Sequence, residues 1–201
     1  MWINDFFGKI RETLKATKEP IPNQKRCEEL AADAYAYCTK LYGQPINPKR
    51  PYALIRGVGE ASSCSYAWGW YIITLSPELG MIEDQCLTIG HEMYHRFTMH
   101  RTGLRRQVWL DETLAVFTSL GFLQQSEFSN IADAIISNSA NYPVNIDLRK
   151  LRDFHKFPWY AGLMSLGQKY PEDFYQNIVR LAVALKAILS SREFRAYPDR
   201  L

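Results

Sequence analysis

At 201 residues, 47% of them hydrophobic, the chain has the size of one domain, or one domain with a small helical extension, and can bury a sizeable core. Its net charge of +3 is spread without a dense basic run, so composition makes no case for nucleic acid as a partner. No run of 18 apolar residues occurs, and Met1 to Phe7 lacks the basic head and cleavage site of a secretory signal. The sequence therefore predicts a soluble, cytoplasmic protein without a transmembrane segment, with secretion as the alternative if a leader was removed ahead of Met1.

Residues 2–18 set Trp2, Ile3, Phe6, Phe7, Ile10 and Leu14 among lysines and arginines at helical spacing. That pattern predicts an amphipathic helix that packs on its own domain, a partner or a membrane surface. Pro20 and Pro22 end it, giving an N-terminal extension over residues 1–22 and a single domain over 23–201. From Asn23, a candidate N-cap, Cys27, Leu30, Ala31, Ala34, Tyr35, Cys38 and Leu41 recur at helical spacing up to Tyr42, and Gly43 stops the helix. A proline-rich connection follows, then a strand from Tyr52 to Val58. The strongest β signal is Tyr66 to Leu75, rich in aromatic and β-branched residues. Its aromatics point to core, and its edge, if exposed, could pair with an extended peptide.

Cys27, Cys38, Cys64 and Cys86 form no C-x-x-C pair and no close Cys/His spacing. They read as small buried apolar residues, with disulfides possible but unforced.

The stretch that carries chemistry is His91-Glu92-Met93-Tyr94-His95. Histidines four apart on a helix project from one face and can bind one metal ion, and the glutamate beside the first lies where it can serve as base to an activated water. No proline interrupts Met81 to His100, and Ile82, Cys86, Ile89, Met93 and Phe97 form an apolar stripe that would anchor such a helix. The bland alternative is a pair of ordinary core histidines with Glu92 in a solvated pair. Two histidines leave a catalytic zinc one ligand short. A third histidine in the H-E-x-x-H-x-x-G-x-x-H pattern is ruled out, because Thr98 and Arg101 stand where glycine and histidine are needed. A helix opening at Trp109-Leu110-Asp111-Glu112 could carry Glu112 back to the pair across the loop at 101–107. Asp111 is the second choice, better suited to capping the helix start or orienting a ligand.

The combination of His91-Glu92-x-x-His95 with Trp109-Leu110-Asp111-Glu112-x-x-Ala115-x-Phe117 resembles the gluzincin zinc metallopeptidases, in particular their aminopeptidase-N-like branch. The resemblance covers residues 81–123. It implies a zincin-like α+β domain: a small, mostly antiparallel sheet whose edge borders a cleft, the two site helices, and a helical C-terminal part. It also implies one Zn2+ held by His91, His95 and Glu112, with Glu92 as general base for hydrolysis of a peptide or protein substrate. The same branch places an oxyanion-stabilising tyrosine before an apolar helix, where Phe157-Pro158-Trp159-Tyr160 stands, so Tyr160 is one candidate donor; His155 is the other, by analogy with thermolysin-like sites. The branch's Gly-x-Met-Glu-Asn exopeptidase box has no counterpart, since Gly57-Val58-Gly59-Glu60-Ala61 does not match it. An endopeptidase, or an effector-like protease with one protein substrate, is thus as compatible as an exopeptidase. A catalytically silent zincin-fold binding or regulatory module is the non-enzymatic alternative. After the site helices, helices are expected over Phe128–Ile136, Tyr160–Tyr170 and Pro171–Leu189.

Overall fold

The computed structural model describes residues 20–45, 47–49, 52–57, 62–67, 70–98, 108–140 and 179–183. The chain divides into two compact units, residues 1–101 and 102–201. The helix expected over residues 2–18, the loop at 101–107, the helix expected over 160–170, and both His155 and Tyr160 lie outside the described residues.

In the first unit, helix α1 spans Gln24–Tyr42 and buries Cys27, Leu30, Ala31, Ala34, Cys38 and Tyr42, the face its spacing predicts. Gly43 ends it at φ 73, a backbone conformation that a β-carbon disfavours, and donates its N–H to the Thr39 carbonyl at 2.9 Å. The start differs from expectation. Asn23 is left-handed (φ 57, ψ 35) and its side chain makes no capping bond, because a side-chain cap needs extended backbone at that residue. Gln24 acts there instead, its Oε1 accepting the Ile21 N–H at 3.0 Å.

Three strands follow: β1 (Tyr52–Arg56), β2 (Ser63–Ala67) and β3 (Trp70–Leu75), in the order β1-β3-β2. β1 runs parallel to β3 and β2 antiparallel to it. The sheet is therefore mixed, not mostly antiparallel. The chain reverses from β2 into β3, and β3 then inserts between the earlier strands and runs in the direction of β1. The expected strand over residues 66–75 is in fact two. Tyr66 and Ala67 close β2, and the register Ala67↔Trp70 leaves two positions for the reversal. β2 escaped the sequence reading because Ser63-Cys64-Ser65 carries little β propensity of its own and is held by its neighbour.

The order of strands overturns a second expectation. β3 is flanked on both sides, so its hydrogen-bonding edges are occupied and cannot receive a peptide. Along it, Tyr71, Ile73 and Leu75 are buried while Trp70 is exposed, the alternation of a strand with one face against helices.

Six residues after β3, helix α2 spans Ile82–Thr98 and packs along α1 and across β3 and β2. Cys86, Ile89, Met93 and Phe97 are all at most 1% exposed, so the predicted stripe is the packing face. Gln85 is fully buried. Its Nε2 donates to the carbonyls of Leu79 (2.7 Å) and Pro22 (3.1 Å), and its Oε1 lies 3.2 Å from the Cys27 Sγ. This one side chain joins the approach to α1, the loop leaving β3 and the first turn of α2. Cys27, Cys38 and Cys86 are buried and Cys64 half-buried, all four as free thiols.

In the second unit, α3 spans Val108–Gln124 and α4 spans Ser129–Ala140. α3 buries Leu114, Ala115, Leu120, Phe122 and Leu123 and packs against α4, which buries Ala132. At the turn between them the Ser126 hydroxyl donates to the Leu123 carbonyl at 2.7 Å and accepts the Phe128 N–H at 3.1 Å. Residues 179–183 are helical, with Ala182 and Val183 buried, within the last helix expected from the sequence.

Candidate metal centre

α2 places His91 and His95 one turn apart with their imidazoles facing each other. The Nε2 atoms lie 3.2 Å apart, the ring centroids 4.9 Å apart and the ring planes at 70°. His91 is half-buried and His95 only 9% exposed. A separation of 3.2 Å allows one Nε2–H to donate to the other nitrogen. It also fits a shared ion: two nitrogens each about 2.0–2.1 Å from a tetrahedral zinc stand about 3.3–3.4 Å apart along the tetrahedron's edge.

Glu92, next to His91, is only 5% exposed. Burying a carboxylate is costly unless it is paired. In α3, Asp111 lies in the first turn and Glu112, half-buried, follows it. Acidic groups in a first helical turn are favoured by the unpaired amides there.

Two residues that flank His95 in the chain, Tyr94 and Arg96, were given no role by the sequence reading. Tyr94 is 4% exposed; its ring meets the His95 ring edge-to-face at 5.4 Å and 69°, and the Tyr42 ring at 5.8 Å and 74°. Arg96, beside His95, is 1% exposed. Its guanidinium carbon lies 3.4 Å from the centre of the Tyr71 ring, a cation–π geometry, and its Nη2 donates to the Asn47 carbonyl at 3.3 Å. Burial lowers the Arg96 pKa, while Tyr71, Tyr35 and Cys64 push it back up. The signal was present: Arg96 follows Met93 by three positions and so continues the apolar stripe. Tyr35 stacks on Tyr52 at 5.8 Å and meets Phe97 edge-on at 5.1 Å, tying β1 and α1 to the last turn of α2.

Comparison with protein-family models, with curated proteins and with solved structures returns no match. The functional reading therefore rests on these residues.

Proposed function

We propose that the protein is a zinc-dependent peptidase in which His91, His95 and Glu112 hold one zinc ion and Glu92 is the general base. The observation that carries this reading is the facing pair of imidazoles, 3.2 Å apart, with the buried Glu92 beside it. Glu112 as the third ligand is supported by its place in Trp109-Leu110-Asp111-Glu112, the stretch that resembles the glutamate helix of the gluzincins. Two imidazoles and one carboxylate are the donor set of open, catalytic zinc sites, which keep a fourth position for water or substrate. Bound there, zinc supplies Lewis acidity towards a carbonyl and brings the pKa of water towards neutrality.

Glu92 accepts the proton of the attacking water and delivers it to the departing amine. His91 and His95 present their ring nitrogens from one helix, a turn apart. Tyr160 and His155 are the candidates to donate a hydrogen bond to the developing oxyanion, a contact whose removal costs about 3–4 kcal/mol. The substrate is a peptide or protein.

The test begins with metal content. After exhaustive dialysis, the wild type should retain close to one zinc per chain and His95→Ala and Glu112→Ala little. Glu92→Gln should keep the zinc but lose about 10²–10⁴-fold of peptide hydrolysis. Full activity in Glu92→Gln, or a wild type that takes up no zinc when supplied with it, would refute the proposal.

A further inference from the structure

A helix backbone fixes where a histidine begins but not the plane of its ring, because the torsion about the bond to an imidazole is broad and two-fold. Something in the surroundings of His95 has to select the plane that turns Nε2 towards His91. Tyr94 is placed to do so. Neighbouring residues on a straight helix diverge by about 100° and do not normally meet, yet these two rings lie in the favoured edge-to-face arrangement, 5.4 Å apart. Tyr94 is held in turn by Tyr42, edge-on at 5.8 Å, and Tyr42 is the last residue of α1, fixed by the helix stop at Gly43. All three side chains are at most 9% exposed, so water does not loosen the stack.

We infer that Tyr94, braced by Tyr42, is a positioning residue for the second metal-binding histidine: the ring of Tyr94 sets the imidazole plane of His95, and α1 serves the site through its terminal tyrosine. The inference rests on the metal-binding reading above. It assigns the work to the aromatic ring of Tyr94 and none to its hydroxyl.

Zinc affinity of the full chain, measured by competition with a chromophoric chelator, tests it, with circular dichroism and melting of the metal-free form recorded beside it. Tyr94→Leu should weaken zinc binding about 10–100-fold, the range seen when a group that orients a metal ligand is removed. Tyr94→Phe, which keeps the ring, should bind within about twofold of the wild type. Tyr42→Leu should weaken binding in the same direction without touching α2, and it carries the test if Tyr94→Leu does not fold. Wild-type affinity in a folded Tyr94→Leu or Tyr42→Leu chain overturns the inference, as does a Tyr94→Phe chain as weak as Tyr94→Leu. Failure of the metal reading itself is distinct: the wild type would then bind no zinc at all.

Discussion

Gln85→Leu should destabilise the protein by about 2–4 kcal/mol although leucine fills a similar volume. The magnitude follows from what the amide holds. Gln85 has no exposed surface, and its Nε2 satisfies the Leu79 carbonyl at 2.7 Å and the Pro22 carbonyl at 3.1 Å. An acceptor deprived of its donor away from water costs about 1–3 kcal/mol, and these two carbonyls are part-buried, which sets the cost in the lower part of that range. Pro22 falls at the low end of that range, because the Cys27 Sγ remains 3.6 Å from the same oxygen. Urea unfolding followed by circular dichroism measures the loss as a shift of midpoint at unchanged slope. A Gln85→Glu chain sharpens the argument, since it sets a carboxyl against the same two carbonyls. Burial and the facing oxygens hold its folded pKa above the ordinary value of about 4.3. Its deficit should then be smallest below that pH, where the carboxyl is protonated in both states and its single O–H can serve one of the two carbonyls, and should grow as pH rises through the folded value. A loss below about 0.5 kcal/mol in Gln85→Leu, the scale of an ordinary surface change, would show that the buried amide does not hold the helix starts together.

Gly57→Ala should cost about 1–3 kcal/mol by overpacking, because an added β-carbon would lie 2.9 Å from the Thr74 Cγ2 and 3.0 Å from the Leu75 carbonyl oxygen, and the Gly57 N–H already bonds that oxygen at 2.7 Å; thermal melting measures it. Arg96→Lys should lose about 1–2 kcal/mol in the same assay, since an ammonium can neither stack flat on Tyr71 nor keep the fork that reaches Asn47. Burial, with a smaller push from Glu28, raises the Cys27 thiol from 9.0 to about 11. The folded chain thus keeps a proton that the unfolded chain releases: the stabilisation is complete below pH 9.0 and is lost as pH rises towards about 11, by about 1–2 kcal/mol. Urea melts across that window should show a shallower slope in Cys27→Ala than in the wild type, by this amount; burial raises Cys38, Tyr37 and Tyr52 as well, and their share of the slope remains.

Local signals carried much of the first unit. The spacing from Cys27 to Tyr42 and the stop at Gly43 marked α1, and the stripe Cys86-Ile89-Met93-Phe97 marked the buried face of α2 before any coordinates. The histidine pair was legible for the same reason, since four residues on a helix is a fixed distance. What the sequence could not supply were facts decided by distant partners. Ser63-Cys64-Ser65 is a strand because β3 is beside it, and β3 is central because it inserts between β2 and the earlier β1. Gln85 and Arg96 were given no place in the stripe, although each lies three positions after one of its residues, Ile82 and Met93. Tyr94 likewise gave no sign in the motif, because its contact with His95 depends on where α1 ends.

The position of β3 also bears on how the protein would fail. Trp70-Tyr71-Ile72-Ile73-Thr74-Leu75 is six residues of high β propensity with no charge, proline or glycine, the composition of segments that stack into cross-β fibrils. In the native sheet both of its edges are covered, and the outward-lying β1 ends in Arg56, a charge of the kind that discourages further strand addition. Detaching either neighbour would uncover a template for self-association. Weakened variants such as Gly57→Ala, which strains the junction of β1 with β3, would therefore be lost to aggregates during expression in preference to accumulating as dispersed unfolded chains.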